Sequence, residues 1–364
     1  MAATPFQARS KAKRGMTVST RPPDLTRDPT IDCARGLAMA LVVLGHNLAF
    51  ATISGTAVAF IFSFHVPAFF FISGYLLRPD CLAPGRLARR VLTPFLVVGL
   101  LLAAAKSFVR QESFPLALAG LAWATGPTLP SSQLWFLPSL FISLLLAGAL
   151  ARFWDAPLRI GVAAGTLALL LPVAYFALHA PPPPVEALRR AGVEGPIGWA
   201  WSIDLVPLAA FFSLCGYLAR RTGRLDRIGF GTLALGLSLT VACFALGART
   251  DMNLRLATPF PLAVSAALGG SVAVFALGRL CASGGQILAG ALEAIGRHSI
   301  MILAFHVIVQ NAVVAMVLGF ADGPAGLAIA AAAGLAAGLA VPLLLSIDLD
   351  RAMARLRPAQ GAGA

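Results

Sequence analysis

Residues 31–47 read IDCARGLAMALVVLGHN. The run is apolar enough to begin a membrane helix, yet it carries Asp32, Arg35 and His46. Ionisable side chains inside a membrane span face a bundle interior or a wet cavity, because hydrocarbon cannot solvate them. Helical geometry permits this here. Arg35 and His46 are separated by three turns plus about 20°, and Asp32 lies about 40° from His46, so all three share one sector. Arg35 and His46 are then roughly 16 Å apart along the axis. Asp32 can pair with Arg35, three residues on, but it cannot orient the imidazole. A guanidinium near one membrane boundary and an imidazole past the midplane suit a long, phosphate-headed ligand threaded from one side.

Composition agrees with a membrane protein. Of 364 residues, 58% are hydrophobic and 12% charged, against about a quarter charged in soluble domains, and the mean hydropathy is +0.83. Ten apolar segments, each near the roughly 20 residues that cross a hydrocarbon core, are expected at about 33–53, 57–77, 91–109, 133–151, 159–178, 199–219, 229–248, 256–278, 298–318 and 324–347. The expected fold class is therefore all-α and polytopic, with both termini on one side. Residues 1–30 form a basic arm, 31–350 the membrane domain and 351–364 a short tail. The arm lacks the apolar core of a signal peptide, so no cleavable leader is expected.

The net charge of +13 could suggest nucleic acid, but its placement is topological. Alternating connectors put 22 of the 28 Lys and Arg on the side of the termini, leaving only Lys106, Arg110, Arg189, Arg190, Arg249 and Arg255 opposite. Such a bias makes the arginine-rich side cytoplasmic. The bilayer is the expected partner, with arginines setting orientation and touching anionic lipid, and nucleic acid is not. The five cysteines have no metal-type spacing and receive no role. PPPP at 181–184 should be a stiff extended spacer. CASGGQILAGALEAIGR, from 281, should hold a short surface helix. Gly334 and Gly338 have the small-xxx-small spacing that lets helices approach closely. Convincing internal repeats are absent, which argues mildly against a transporter built of inverted halves.

Other polar groups punctuate the spans. FSFHVPAFFFISGYLL supplies His65 and a helix-disturbing Pro67, and the following loop clusters Arg86, Arg89 and Arg90, which could bind a polyphosphate. QLWFLPSLF places Gln133 and Trp135 at the outer interface, where Trp is an ordinary belt residue. Asp204, in WSIDLVPLAAFF, is the nearest acid in depth to His46. IGRHSIMILAFHVIVQNAV brings His298 and His306, followed by Gln310 and Asn311. Singly, each of these reads equally well as a packed or hydrogen-bonded interior group.

Together and in this order, these elements resemble the membrane acyltransferase 3 family, especially the branch similar to fucose 4-O-acetyltransferases. The resemblance rests on the Arg35–His46 spacing, FSFHVPAFFFISGYL, RLARRVLTPF, LWFLPSLF and IGRHSIMILAFHVIV. It implies transfer of an acyl group, most often acetyl, from cytoplasmic acyl-CoA to a sugar hydroxyl on a surface glycan, a lipid-linked sugar or a lipo-oligosaccharide such as a nodulation factor. It also implies a multi-pass protein of the bacterial inner membrane. Acetyl-CoA is then a donor substrate; no bound cofactor and no metal are expected. By the same resemblance His46 is the essential histidine, Arg35 its partner with Asp32 beside it, and Arg86 and Arg89, with Arg90 adjacent, the CoA-binding basic group. His65, Trp135, Asp204 and His306 are acceptor-side candidates.

A neutral imidazole, with its ordinary pKa of about 6.5, can take the proton of an attacking hydroxyl; an acyl-histidine intermediate is the other route. A proton-coupled transporter would also place Asp, His and Arg in the membrane, but would move substrate without consuming acyl-CoA. A non-catalytic partner in glycan assembly would tolerate loss of His46.

Overall fold

A computed structural model describes residues 28–111, 113–154, 159–180, 185–190, 192–223 and 228–356. Most of the basic arm, the tetraproline at 181–184 and the end of the tail lie outside the described residues. Helix α1 (Pro29–Gly45) starts under an Asp28 cap, whose side chain accepts from the Thr30 N–H at 2.9 Å, and it has proline in its first turn, two features that favour helix initiation. The expected first segment does not run unbroken to residue 53. It stops at His46, and Asn47 starts a new helix, α2 (Leu48–Ile53). Asn47 Oδ1 accepts from the Phe50 N–H at 3.0 Å, and Asn47 Nδ2 donates to the Ala331 carbonyl at 3.0 Å.

The chain continues as α3 (Gly55–Phe62) and α4 (His65–Tyr75), broken beside His65, then α5 (Pro84–Arg110) and a short α6 (Phe114–Trp123). A run of 3-10 turn leads into α7 (Phe136–Phe153), followed by α8 (Arg159–His179) and α9 (Val185–Arg190). Residues 200–205 form another 3-10 turn before α10 (Val206–Arg221); Trp201 and Ser202 there have φ of 57° and 52°. Helix α11 (Phe230–Ala245) ends in an antiparallel hairpin, β1 (Arg249–Asp251) and β2 (Leu256–Thr258), which the sequence reading had split between a loop and a span. Four more helices complete the chain: α12 (Phe260–Ala282), α13 (Gln286–Arg297), α14 (Ser299–Leu318) and α15 (Gly323–Leu356).

All ten expected segments are thus largely helical, and the fold is an all-α polytopic bundle. Eight helical segments among the described residues are long and apolar enough to cross a membrane. The other two, α1 and α11, have 17 and 16 residues. Helix α13 is the expected short surface helix: it is amphipathic, and Ile287 and Leu288 on it are exposed.

Helix α1 stands at the centre, with α4, α12, α13, α14 and α15 packed against it. The approach to α13 is backbone to backbone. A Cβ on Gly36 would strike the Leu292 carbonyl, and one on Gly296 would strike the Asp32 carbonyl. Gly334 and Gly338 of α15 face Asn47, Gln310 and Val43, so the small-residue stripe does let α15 close on α1 and α14. The charged face of α1 therefore looks into the bundle.

Replacing Asn47 by Ala removes a helix cap and strands a buried carbonyl. The expected cost is about 1–3 kcal/mol, read as a lower unfolding midpoint in detergent. Asn47→Asp should not recover this loss, because it sets a buried carboxylate against the Ala331 carbonyl, two acceptors with no donor between them.

Candidate active site

Among the described residues, cavities adjoin α1 at two depths. The one at the arginine-rich end has a volume of about 460 Å³ and is rimmed by Arg35, Arg78, Arg86, Arg90 and Arg297. Three separate segments converge there: the first turns of α1, the loop and α5 start after α4, and the end of α13. Arg86 and Arg90 are one turn apart on α5 and so share a face. Arg89 does not line the cavity, so the basic group at this mouth is Arg86 with Arg90, joined by Arg78 and Arg297, which sequence reasoning had treated as topological charges. Arg35 Nη1 lies 3.9 Å from Asp32 Oδ1, as the three-residue spacing implied.

The second cavity, about 230 Å³, lies deeper along the same face of α1 and is lined by His46, His65, Trp135, Gln133, Asp251 and Asn253, with apolar neighbours. Met39, Phe69, Phe136 and Leu303 belong to the walls of both cavities. These four apolar side chains form the partition between the guanidinium mouth and the imidazole chamber. Trp135 is only 4% exposed and lines this chamber, so it is not an interfacial belt residue.

Three histidines gather here although they come from three different helices. The ring centroid of His46 is 6.1 Å from that of His65 and 5.3 Å from that of His306. Each ring uses Nδ1 on the carbonyl one helical turn earlier: His46 on Val42 at 2.8 Å, His65 on Ile61 at 3.1 Å and His306 on Ile302 at 2.9 Å. A carbonyl partner requires Nδ1 to carry the proton, which leaves Nε2 of a neutral ring with its lone pair. On His46, a chamber-lining residue, that nitrogen is on the edge turned away from its own helix. His306 is wholly buried behind His46, and its Nε2 has no hydrogen-bond partner among the described residues.

Asp204 is not a partner of His46. Its carboxylate is held by Arg255, Nε to Oδ2 at 2.9 Å, in a pair that is almost fully buried. The same guanidinium donates to Ser202 Oγ at 3.1 Å and to the Asn253 carbonyl at 2.8 Å. This network rivets the hairpin between α11 and α12 to the turn before α10. The acid that does line the His46 chamber is Asp251, on that hairpin, with Oδ1 accepting from the Leu254 N–H at 3.0 Å. Burial pushes the Asp251 carboxyl above the ordinary carboxylate range, opposed by hydrogen bonds from backbone N–H groups and by nearby positive charge. Sequence reasoning missed Asp251 and Asn253. The available signal was the polar run RTDMNLR between two apolar segments, too short for a domain and too polar for a span.

A membrane helix bundle with a cationic mouth, an apolar partition and a histidine-lined interior defines a multi-pass membrane protein with arginines and histidines along one face of its central helix. A family model described as an acyltransferase domain matches residues 28–347. The chain belongs to that family, the acyltransferase 3 family, and is a membrane acyltransferase. No curated protein matches it.

Removing Asp204 strands a buried guanidinium, so Asp204→Ala should cost about 3–5 kcal/mol. Converting Arg255 to Met in the same protein should restore part of that loss, a coupling visible in a double-mutant cycle of unfolding midpoints.

Proposed function

We propose that the protein moves an acyl group, acetyl in the first instance, from acyl-CoA at the arginine-rich mouth to a hydroxyl of a carbohydrate acceptor in the His46 chamber. The observation that carries this reading is the hydrogen bond from His46 Nδ1 to Val42, which fixes a tautomer whose Nε2 can accept a proton. The arginine bias supports a cytoplasmic mouth, and the likeness to the fucose 4-O-acetyltransferase branch supports a glycan acceptor and a bacterial inner membrane.

The phosphates of CoA meet Arg35, Arg78, Arg86, Arg90 and Arg297, and the pantetheine arm runs between Met39, Phe69, Phe136 and Leu303. Such a slender chain suits an apolar neck that excludes bulk water from the thioester. In the chamber Nε2 of His46 takes the proton of the acceptor hydroxyl as its oxygen bonds to the acyl carbon. The carbon–sulfur bond breaks, and the imidazolium returns the proton to the departing thiolate, giving free CoA thiol. Asp251 faces the imidazole from the hairpin and stabilises the imidazolium that forms. His65, Gln133, Trp135 and Asn253 surround the acceptor. His306 supports His46 from behind, and Asp204 acts indirectly, by anchoring the hairpin. Asp32 holds Arg35 for the phosphates.

Purified protein given acetyl-CoA and candidate glycans should release thiol. His46→Ala should lower that rate by about 10²–10⁴-fold while leaving CoA binding intact. Labelled acyl trapped on the wild-type protein and absent from His46→Ala would replace direct transfer by an acyl-histidine route. Arg86→Glu with Arg90→Glu should weaken CoA binding; unchanged affinity would defeat the donor assignment. Because Asp251 titrates above the usual carboxylate range and acts as the anion, activity should fall as pH drops through that raised value. Asp251→Asn should lose this acid limb, running slower than wild type above that pH and converging on it below.

A further inference from the structure

A cavity of about 730 Å³ opens between α8, α10 and α12 in the arginine-rich half of the bundle. Ile160 and Ala163 of α8, Leu218 of α10, and Leu268 and Val272 of α12 make its walls apolar. Ile160 is 87% exposed, so the cavity is a groove open sideways to lipid. Helix α8 is also the least buried of the eight long apolar segments.

The mouth of the groove is a set of hydrogen-bond donors. Arg159, at the start of α8, and Arg221, in the last turn of α10, line it together with Trp154, just after α7. Trp154 is only 3% exposed, and its indole Nε1 is buried without a hydrogen-bond partner among the described residues. An indole N–H can donate and cannot accept, so this buried group calls for an acceptor. Arg221 is braced beside it. Its Nη1 donates to the Tyr217 hydroxyl at 2.9 Å, and the Tyr217 ring lies against Trp154 with centroids 5.9 Å apart. A guanidinium has five N–H donors, so that bond does not exhaust it.

Two guanidinium groups and a buried indole N–H, drawn from three separate elements, present donors to the oxygens of one anion. The apolar groove beneath them takes a hydrocarbon chain. A phosphodiester headgroup joins those two features at this depth, and arginines near a membrane surface attract anionic lipid. A choline beyond the phosphate would set a second cation against Arg159, which favours a headgroup of net negative charge.

We propose that this groove binds one anionic phospholipid of the arginine-rich leaflet. Its phosphate rests on Arg159, Arg221 and Trp154, and one acyl chain lies between α8 and α12. The lipid fills the gap beside α8 and ties that helix to the bundle. General contact between surface arginines and lipid needs neither a groove nor a buried donor; this site has both. It stands independently of the acyl-transfer reading.

The test uses the full-length protein in detergent with a phosphatidylglycerol that carries a diazirine near the end of one acyl chain. After irradiation, peptide mass spectrometry should place the label on α8 and α12, beside Ile160, Ala163, Leu268 and Val272. Unlabelled phosphatidylglycerol should compete about tenfold better than phosphatidylcholine of the same chains, the size of a charge-assisted hydrogen bond. Trp154→Phe, which keeps an aromatic ring and removes the N–H, and Arg221→Gln should each weaken labelling by a similar factor. Arg355→Gln, in the last turn of α15, should leave it unchanged. Phosphatidylglycerol should also raise the unfolding midpoint of the wild type more than that of Trp154→Phe. Equal competition by phosphatidylcholine marks ordinary surrounding lipid and overturns the proposal. Equal competition by oleate marks a fatty-acid site, and by glycerol phosphate a free-phosphate site; either result overturns it too. Wild-type labelling of both Trp154→Phe and Arg221→Gln also sinks it. The competition arm uses unaltered protein and decides the matter even where a variant fails to fold.

Discussion

The side-chain amide of Asn47 is the joint on which the site depends. A membrane interior offers no water to a broken helix, so every backbone group freed by a break must find a partner inside the protein. Asn47 supplies two of these. Its oxygen caps α2 through Phe50 and its nitrogen reaches the Ala331 carbonyl on α15. With those bonds made, α1 can stop at His46, and the imidazole sits at a helix end facing the chamber.

From that joint the site divides by charge. The guanidinium groups gather at one mouth, and Met39, Phe69, Phe136 and Leu303 separate them from the histidines. Each of the three imidazoles is tied through Nδ1 to the carbonyl four residues earlier, His65 reaching back across the α3–α4 break to Ile61, so tautomer choice is local in sequence. Among the described residues the hairpin adds the one carboxylate that lines the chamber, and the hairpin is positioned by a buried ion pair. Such pairs are costly to break and geometrically strict, which suits holding an acid at a fixed place on the chamber wall.

Some of this arrangement was legible beforehand because it follows helical periodicity. The alignment of Asp32, Arg35 and His46 follows from residues per turn, and Arg86 and Arg90 share a face for the same reason. Arg89, next to Arg90 and so about 100° round the helix from it, does not line the mouth, whereas a cluster read as a block of charge had included it. Depth in the bilayer was a weaker guide. It picked Asp204 as the acid level with His46, but depth does not say which way a side chain points, and Arg255 had already claimed that carboxylate. Asp251 escaped notice because a hairpin of three-residue strands has no apolar rhythm of its own.

By itself the sequence determined what belongs to one helix: an all-α membrane bundle and a polar stripe on α1 that lipid could not tolerate. The family resemblance was carried by ordered local motifs of the same kind, and the match over residues 28–347 bears it out at the level of the family. Tertiary structure alone decided which helices are neighbours. It brought His65 and His306 to His46, turned Asp204 to Arg255, and swung Asp251 over the chamber. Those outcomes depend on close contacts between residues far apart in the chain, such as Gly36 against Leu292 and Asn47 against Ala331, and no periodicity within a single segment encodes them.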